Sequence, residues 1–235
     1  MGLPGTTFNY RVVPGWGKQT LEPDVNPGSD PPWMNIKGVA VDSEDSVYLV
    51  NRGSPSSVII LDKNGMLLGS MGHGIINDPH NICIDSYNNI FVVDRETHVV
   101  MAFDKNNEVT LTLGTMNSPS QEQSGIPFNL PTGVAISSDK DIYISDGYGN
   151  SNIHKYTSTG GLSLSWGGKG IHPGQFNTPH GICIDTEDRV YVADRQNNRV
   201  QAFDCEGNYI KEWKDLIGAS DVAVDHDNNL YVSEL

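Results

Sequence analysis

Positive charge is scarce in this chain: 15 lysines and arginines stand against 29 aspartates and glutamates, a formal net charge of −14. No Lys/Arg run gathers into the basic face that a phosphate backbone requires, which argues against nucleic acid as a partner. Long hydrophobic runs are also missing, and no apolar stretch approaches membrane-spanning length, so no membrane partner is expected. Cysteine is sparse and odd in number, three residues in all. Cys83 and Cys183 sit inside apolar strand-like runs and Cys205 follows one, an arrangement against a disulfide framework and in favour of a reducing, cytoplasmic setting. The opening residues show no charged segment followed by an apolar one, so no export signal is read. Gly2 and Thr6 formally fit a myristoylation pattern, but Pro4 and the lack of a basic cluster count against it. Sustained helical periodicity is absent as well, because apolar residues alternate or come in short blocks.

What the chain does have is repetition. "INDPHNICID" (Ile76 to Asp85) and "FNTPHGICID" (Phe176 to Asp185) lie 100 positions apart, with Pro-His and Ile-Cys-Ile-Asp at matching places. Three further copies begin at Gly38, Gly133 and Asp221, and the anchor residue falls at Asp42, Asp85, Ser137, Asp185 and Asp225. The steps of 43, 52, 48 and 40 residues suit the blades of a β-propeller. Each copy runs strand, polar turn, strand, polar turn, strand, Gly turn, strand, as in "GICID", "VYVAD", "RVQAFD" and "YIKEW". Such meanders bury both faces by radial packing. The chain is therefore expected to be all-β, one domain over residues 1–235, with about four and a half blades. Phe8, Tyr10 and Val12 alternate as in an outer strand that closes the last blade, and the half blade at Leu235 reads as a shortened C-terminal end.

Four features carry candidate chemistry. His80 and His180 each precede an innermost strand, so both are expected at one axial end, facing each other across the central channel. Neutral imidazoles converging there suit zinc, although Pro-His before an inner strand is also common repeat grammar. Arg52 in "VNRG" follows an apolar strand and could hold a carboxylate through paired hydrogen bonds, or sit on a blade turn. Tyr148 lies between Gly147 and Gly149, whose backbone freedom would present the phenol at the channel mouth, where a nearby dication would help it act as a base. Arg195 in "ADRQNNR" reads as an inter-blade pair with Asp194 or as part of the site, and the matching "VVDRETH" (Val92 to His98) as structure alone. His73, His98, His154, His172 and His226 fall outside the register and read as surface or core residues.

"YVADRQNNRVQAFDCEGNYIKEW" resembles the NHL repeat, whose propellers usually have six blades. Taken together, the four features resemble the peptidyl-α-hydroxyglycine α-amidating lyase family from Gly38 to about Arg199. The resemblance implies zinc on His80 and His180, with a third histidine beyond Leu235. It also implies calcium on the backbone carbonyls of Val39 and Ile82 with an aspartate beyond the same point, and catalytic roles for Arg52, Tyr148 and Arg195. The implied reaction cleaves a carbinolamide C–N bond to an amide and glyoxylate, on a small molecule or peptide ending in α-hydroxyglycine. Gly149 departs from the cysteine that the family places there, which puts the substrate in doubt. The alternative is a non-catalytic propeller scaffold binding a protein or peptide. A lactonase-type metal hydrolase ranks last, since no Glu or Asp falls in a channel register.

Overall fold

The computed structural model describes residues 11–17, 35–53 and 57–235. Its elements follow from one small turn used many times. At the first hairpin of each repeat an aspartate, or Ser137 in the third, folds its side chain back on the turn that follows it. Asp85 Oδ1 accepts the amides of Tyr87 (2.8 Å) and Asn89 (2.9 Å), and Asp185 Oδ1 those of Glu187 and Arg189 (2.9 Å each). The third residue of the turn must then take a left-handed conformation, and Asp45, Asn88, Asp188 and Asn228 do so at φ 57–63°. Asn and Asp tolerate that region better than most residues, which is why these hairpins read as D-x-x-N or D-x-x-D.

Between the turns lie eighteen strands among the described residues. The first blade is β1 (Ile36–Val41), β2 (Val47–Asn51), β3 (Ser57–Leu61) and β4 (Leu67–Met71). The second is β5 (Pro79–Ile84), β6 (Ile90–Asp94), β7 (Val99–Phe103) and β8 (Val109–Gly114). The third is β9 (Gly133–Ile136), β10 (Ile142–Asp146), β11 (Asn152–Tyr156) and β12 (Leu162–Gly167). The fourth is β13 (Pro179–Ile184), β14 (Val190–Asp194), β15 (Arg199–Phe203) and β16 (Tyr209–Trp213), and a two-stranded fifth sheet pairs β17 (Asp221–Val224) with β18 (Leu230–Ser233). Every sheet is an antiparallel meander in sequence order. The expected four and a half blades are present. A single 3₁₀ turn, Arg195–Asn197, is the helical structure among the described elements.

The second strands of the second, third and fourth blades, β6, β10 and β14, are buried along their whole length, which is why they are largely apolar. In β6, Ile90 and Val92 pack with Val50, Val58 and Met71 of the first blade, while Phe91 and Val93 pack with Val134 and Ile144 of the third. In β14, Val190 and Val192 face Tyr143 and Ile153, while Tyr191 and Ala193 face Val222 and Ala219. Alternation points successive residues at opposite neighbouring blades, so both faces are core. Each fully buried valine, isoleucine or phenylalanine contributes about 1.5–3 kcal/mol. The outer strands β8, β12 and β16 are largely exposed.

The inner strands β1, β5, β9, β13 and β17 line a central cavity of about 680 Å³. Cys83 and Cys183 both line it as free thiols, and burial pushes Cys83 up to about 12 and Cys183 up as well. Phe8 and Tyr10, expected in a closing strand, lie outside the described residues. The described part of that segment turns over residues 14–17, and Trp16 Nε1 donates to the Lys63 carbonyl of the first blade (3.0 Å).

Candidate functional site

The inner strands β5 and β13 each start with Pro-His, and in both the ladder slips by a bulge at that point. A bulge re-aims a side chain, and here it turns His80 and His180 toward the same end of the channel. Their ring centroids are only 4.9 Å apart, so they meet rather than face each other across an open channel. Between them stands Tyr148, from the third blade. Its hydroxyl lies 3.0 Å from His180 Nε2 and 3.2 Å from His80 Nε2.

The glycines around Tyr148 have a different cause from the one expected. Neither Gly147 nor Gly149 has a positive φ. A Cβ on Gly147 would lie 1.8 Å from the Pro179 carbonyl oxygen, and one on Gly149 would lie 2.2 Å from the Asn129 side chain. Close approach, not backbone freedom, demands glycine at both places. The segment is pinned from both sides, and Tyr148 is held against the start of the fourth blade.

The far side of each imidazole fixes its tautomer. His80 Nδ1 is 2.9 Å from the Thr132 carbonyl oxygen, and His180 Nδ1 is 2.7 Å from that of Ser220. A carbonyl only accepts, so both Nδ1 atoms carry the proton and both Nε2 atoms present a lone pair. Burial, reinforced for His80 by Arg52 and Arg95, pushes it down to about 4. Burial, then the neighbouring His80 and Arg195, pushes His180 down to about 3. Both rings are neutral at pH 7. Two lone pairs thus face one phenolic O–H, which can satisfy only one of them.

That donor set fits a zinc ion. Neutral imidazoles oriented by a second hydrogen bond are its usual ligands, and a catalytic zinc keeps positions open. Among the described residues no three His, Cys, Asp or Glu side chains gather at one point, so the protein donors here are His80 and His180 with the Tyr148 oxygen beside them. Val39 and Ile82, expected to offer carbonyls to calcium, both line the central cavity. The side chains around them are apolar apart from Asn81, Asp221, Tyr231 and Ser233, a thin set for an ion that takes six to eight oxygens.

Three arginines surround the tyrosine. Arg195 Nη1 lies 3.3 Å from the Tyr148 hydroxyl, and its Cζ is over the ring at 5.3 Å from the centroid. Arg195 does not pair with Asp194 as expected. That carboxylate is fully buried and accepts from Arg199 Nε (2.7 Å) and the Asn177 amide (2.7 Å). Arg95, read from sequence as purely structural, is also at the site, with Cζ 5.4 Å from the Tyr148 ring centre. Its signal was present, because Arg95 and Arg195 share the 100-residue spacing of the two histidines.

Arg52 is where the sequence placed it, but its paired N–H groups hold Asp78. Its Nε bonds Asp78 Oδ1, and its Nη2 bonds Oδ2 at 2.7 Å. Arg95 Nε bonds the same Oδ2 at 2.9 Å. Burial works to raise the Asp78 carboxyl, and the two guanidiniums outweigh it and hold it below the usual range. Sequence reasoning missed Asp78, which stands directly before Pro79-His80. The other histidines lie apart from the site: His154 is fully buried and bonded to Ser165 Oγ, His98 accepts the Leu130 amide, and His226 is exposed.

Blades, bulged inner strands and repeated Asx turns together define a β-propeller. Residues 128–156 and 176–203 match the NHL repeat family. The relatives are more particular: the chain is similar to peptidylglycine alpha-amidating monooxygenase of Rattus norvegicus, at 30% identity over 200 residues, 72% of this chain and 20% of that protein. It is also similar to the probable peptidyl-alpha-hydroxyglycine alpha-amidating lyase pgal-1 of Caenorhabditis elegans, at 31% over 151 residues, 63% of this chain and 43% of that one. NHL repeat-containing protein 3 of Homo sapiens is 28% identical over 216 residues, 87% of this chain and 59% of its own. The chain thus spans between 20% and 59% of the length of these relatives.

Proposed function

We propose that the mouth of this propeller is a carbon–nitrogen lyase site for molecules ending in α-hydroxyglycine, which it splits into an amide and glyoxylate. The observation that carries this reading is the convergence of two lone-pair Nε2 atoms and one guanidinium on the Tyr148 hydroxyl. The similarity to an amidating lyase supports it. In the substrate R-CO-NH-CH(OH)-COO⁻ the hydroxyl proton leaves, the C–O bond becomes a carbonyl, and the C–N pair departs with the nitrogen and takes up a proton. Atoms and charge balance with no oxidant.

Tyr148 oxygen is the atom that takes the hydroxyl proton, as a phenolate whose own proton has first passed to solvent, since it is the polar atom on which the other groups converge. His80 and His180 would hold zinc, which supplies a Lewis acid toward the substrate hydroxyl. Arg195, beside the phenol and without a carboxylate partner of its own among the described residues, stabilises charge on the substrate oxygens. Arg52 contributes through Asp78, which its guanidinium grips. The test is glyoxylate release from a small N-acyl-α-hydroxyglycine, with zinc supplied. Tyr148→Phe should cut the rate by about 100-fold or more, the scale of a lost general base. A folded, zinc-treated chain that releases no glyoxylate rules the lyase reading out.

A second reading, a non-catalytic propeller that binds a protein or peptide, draws on the similarity to NHL repeat-containing protein 3, whose name states no reaction and which matches 87% of this chain. Under it, Tyr148→Phe changes partner binding no more than a surface substitution does.

A further inference from the structure

The second and fourth blades build the same backbone around the site and then differ at one side chain. In the second, the Asn77 amide donates to Asp94 (2.7 Å) and the Arg95 amide to the Asp78 carbonyl (3.0 Å). In the fourth, the Asn177 amide donates to Asp194 (2.7 Å) and the Arg195 amide to the Thr178 carbonyl (3.2 Å). Asp78 and Thr178 therefore occupy equivalent positions, each next to an arginine that lies over Tyr148. The consequence for the two arginines is opposite. Arg95 and Arg52 are both bonded to the Asp78 carboxylate, which is largely buried at 13% side-chain exposure, and Arg95 Nη2 also bonds the exposed Glu96 carboxylate. Arg195 meets a threonine instead, makes no ion pair among the described residues, and has a buried Nε with no partner.

We propose that Asp78 is a specificity-determining residue: an internal carboxylate that occupies Arg52 and Arg95, so that the site accepts a single substrate carboxylate and receives it at Arg195. This rests on reading the site as the place where an α-hydroxyglycine carboxylate docks. Without Asp78, three guanidiniums would face the single carboxylate of Glu96, and the two uncompensated charges would favour dianions such as dicarboxylates or phosphate. With it, Asp78 and Glu96 together balance Arg52 and Arg95, and the one unpaired cation is Arg195, on the fourth-blade side. A substrate with one carboxylate then has one orientation. Its charged end lies toward the fourth blade, and its uncharged acyl end lies toward the second, where Asp78 and Glu96 cancel the two guanidiniums and leave no free cation for a second anion. Asp78 acts through the arginines it holds and touches no reacting atom, so it is a positioning residue.

The experiment is calorimetric titration of the chain with acetate and with malonate, in chelator so that neither anion binds through metal. Wild type should bind the two within about threefold of each other. Asp78→Asn should bind malonate at least tenfold more tightly than wild type with little change for acetate, and Asp78→Glu should restore the wild-type pattern. An unchanged malonate affinity in Asp78→Asn overturns the proposal. A second comparison keeps Asp78 in place: Arg195→Gln should weaken acetate at least tenfold and Arg95→Gln less than threefold, and equal losses in the two also overturn it. Binding is read without turnover, so a chain that shows this pattern and releases no glyoxylate loses the lyase reading and keeps this one.

Discussion

Acidification from pH 7 to pH 5 should destabilise the fold chiefly through His80 and His180. In the unfolded chain each imidazole titrates near 6.5, whereas in the folded chain burial holds them at about 4 and about 3. Above 6.5 both rings are neutral in either state and cost nothing. Between 6.5 and the folded values the unfolded chain takes up a proton that the folded chain refuses, so stability falls as the pH falls. Each histidine then costs about 1.4 kcal/mol per pH unit, which is about 2 kcal/mol apiece and about 4 kcal/mol together at pH 5. Carboxylates held low by their partners, such as Asp78 and Asp42, release their stabilisation below this window. Asp194 and Asp221, raised by burial, act in the opposite sense and are common to wild type and variant. The assay is urea unfolding followed by tryptophan fluorescence at both pH values in chelator, for wild type and for His80→Gln/His180→Gln. The variant should lose most of the pH dependence between 7 and 5. An equal dependence in the two proteins refutes the argument that buried neutral imidazoles set it.

Two other outcomes follow from the same geometry. Gly147→Ala drives a Cβ into the Pro179 carbonyl and should cost about 1–3 kcal/mol in urea unfolding, with a larger fractional loss of activity because Tyr148 moves with it. Zinc at 100 times its dissociation constant should stabilise wild type by about 2.7 kcal/mol, read as a rise in thermal midpoint, and should leave His80→Gln/His180→Gln unmoved.

Most of the architecture was legible because the repeat writes its turns in fixed residues. Asp42, Asp85, Asp185 and Asp225 mark the hairpins through bonds to their own backbone, and such local chemistry survives in sequence. The half blade was legible for the same reason. His80 and His180 could be located because the same decapeptide precedes both inner strands, but their meeting at 4.9 Å depends on the bulges, which leave no mark in residue type. Tyr148 stood out by its glycines, for a reason that only packing against Pro179 and Asn129 reveals. Arg95 was passed over because "VDRET" reads like ordinary repeat grammar. Asp78 was passed over because its partner Arg52 lies 26 residues away on another blade. Charge pairs between blades depend on the relative placement of two sheets, and no periodicity encodes that.

Each imidazole takes its orientation from the blade that follows its own: His80 from Thr132 in the third, His180 from Ser220 at the start of the fifth. On a chain made from its N-terminus, this sets an order of completion. His80 is locked once the third blade has emerged and docked. Tyr148 then waits on Pro179, and His180 stays free to turn until residue 220 has been made and the half blade has closed against the fourth. Among the described residues of the mouth, His180 is the last to be fixed, because its anchor is the last made.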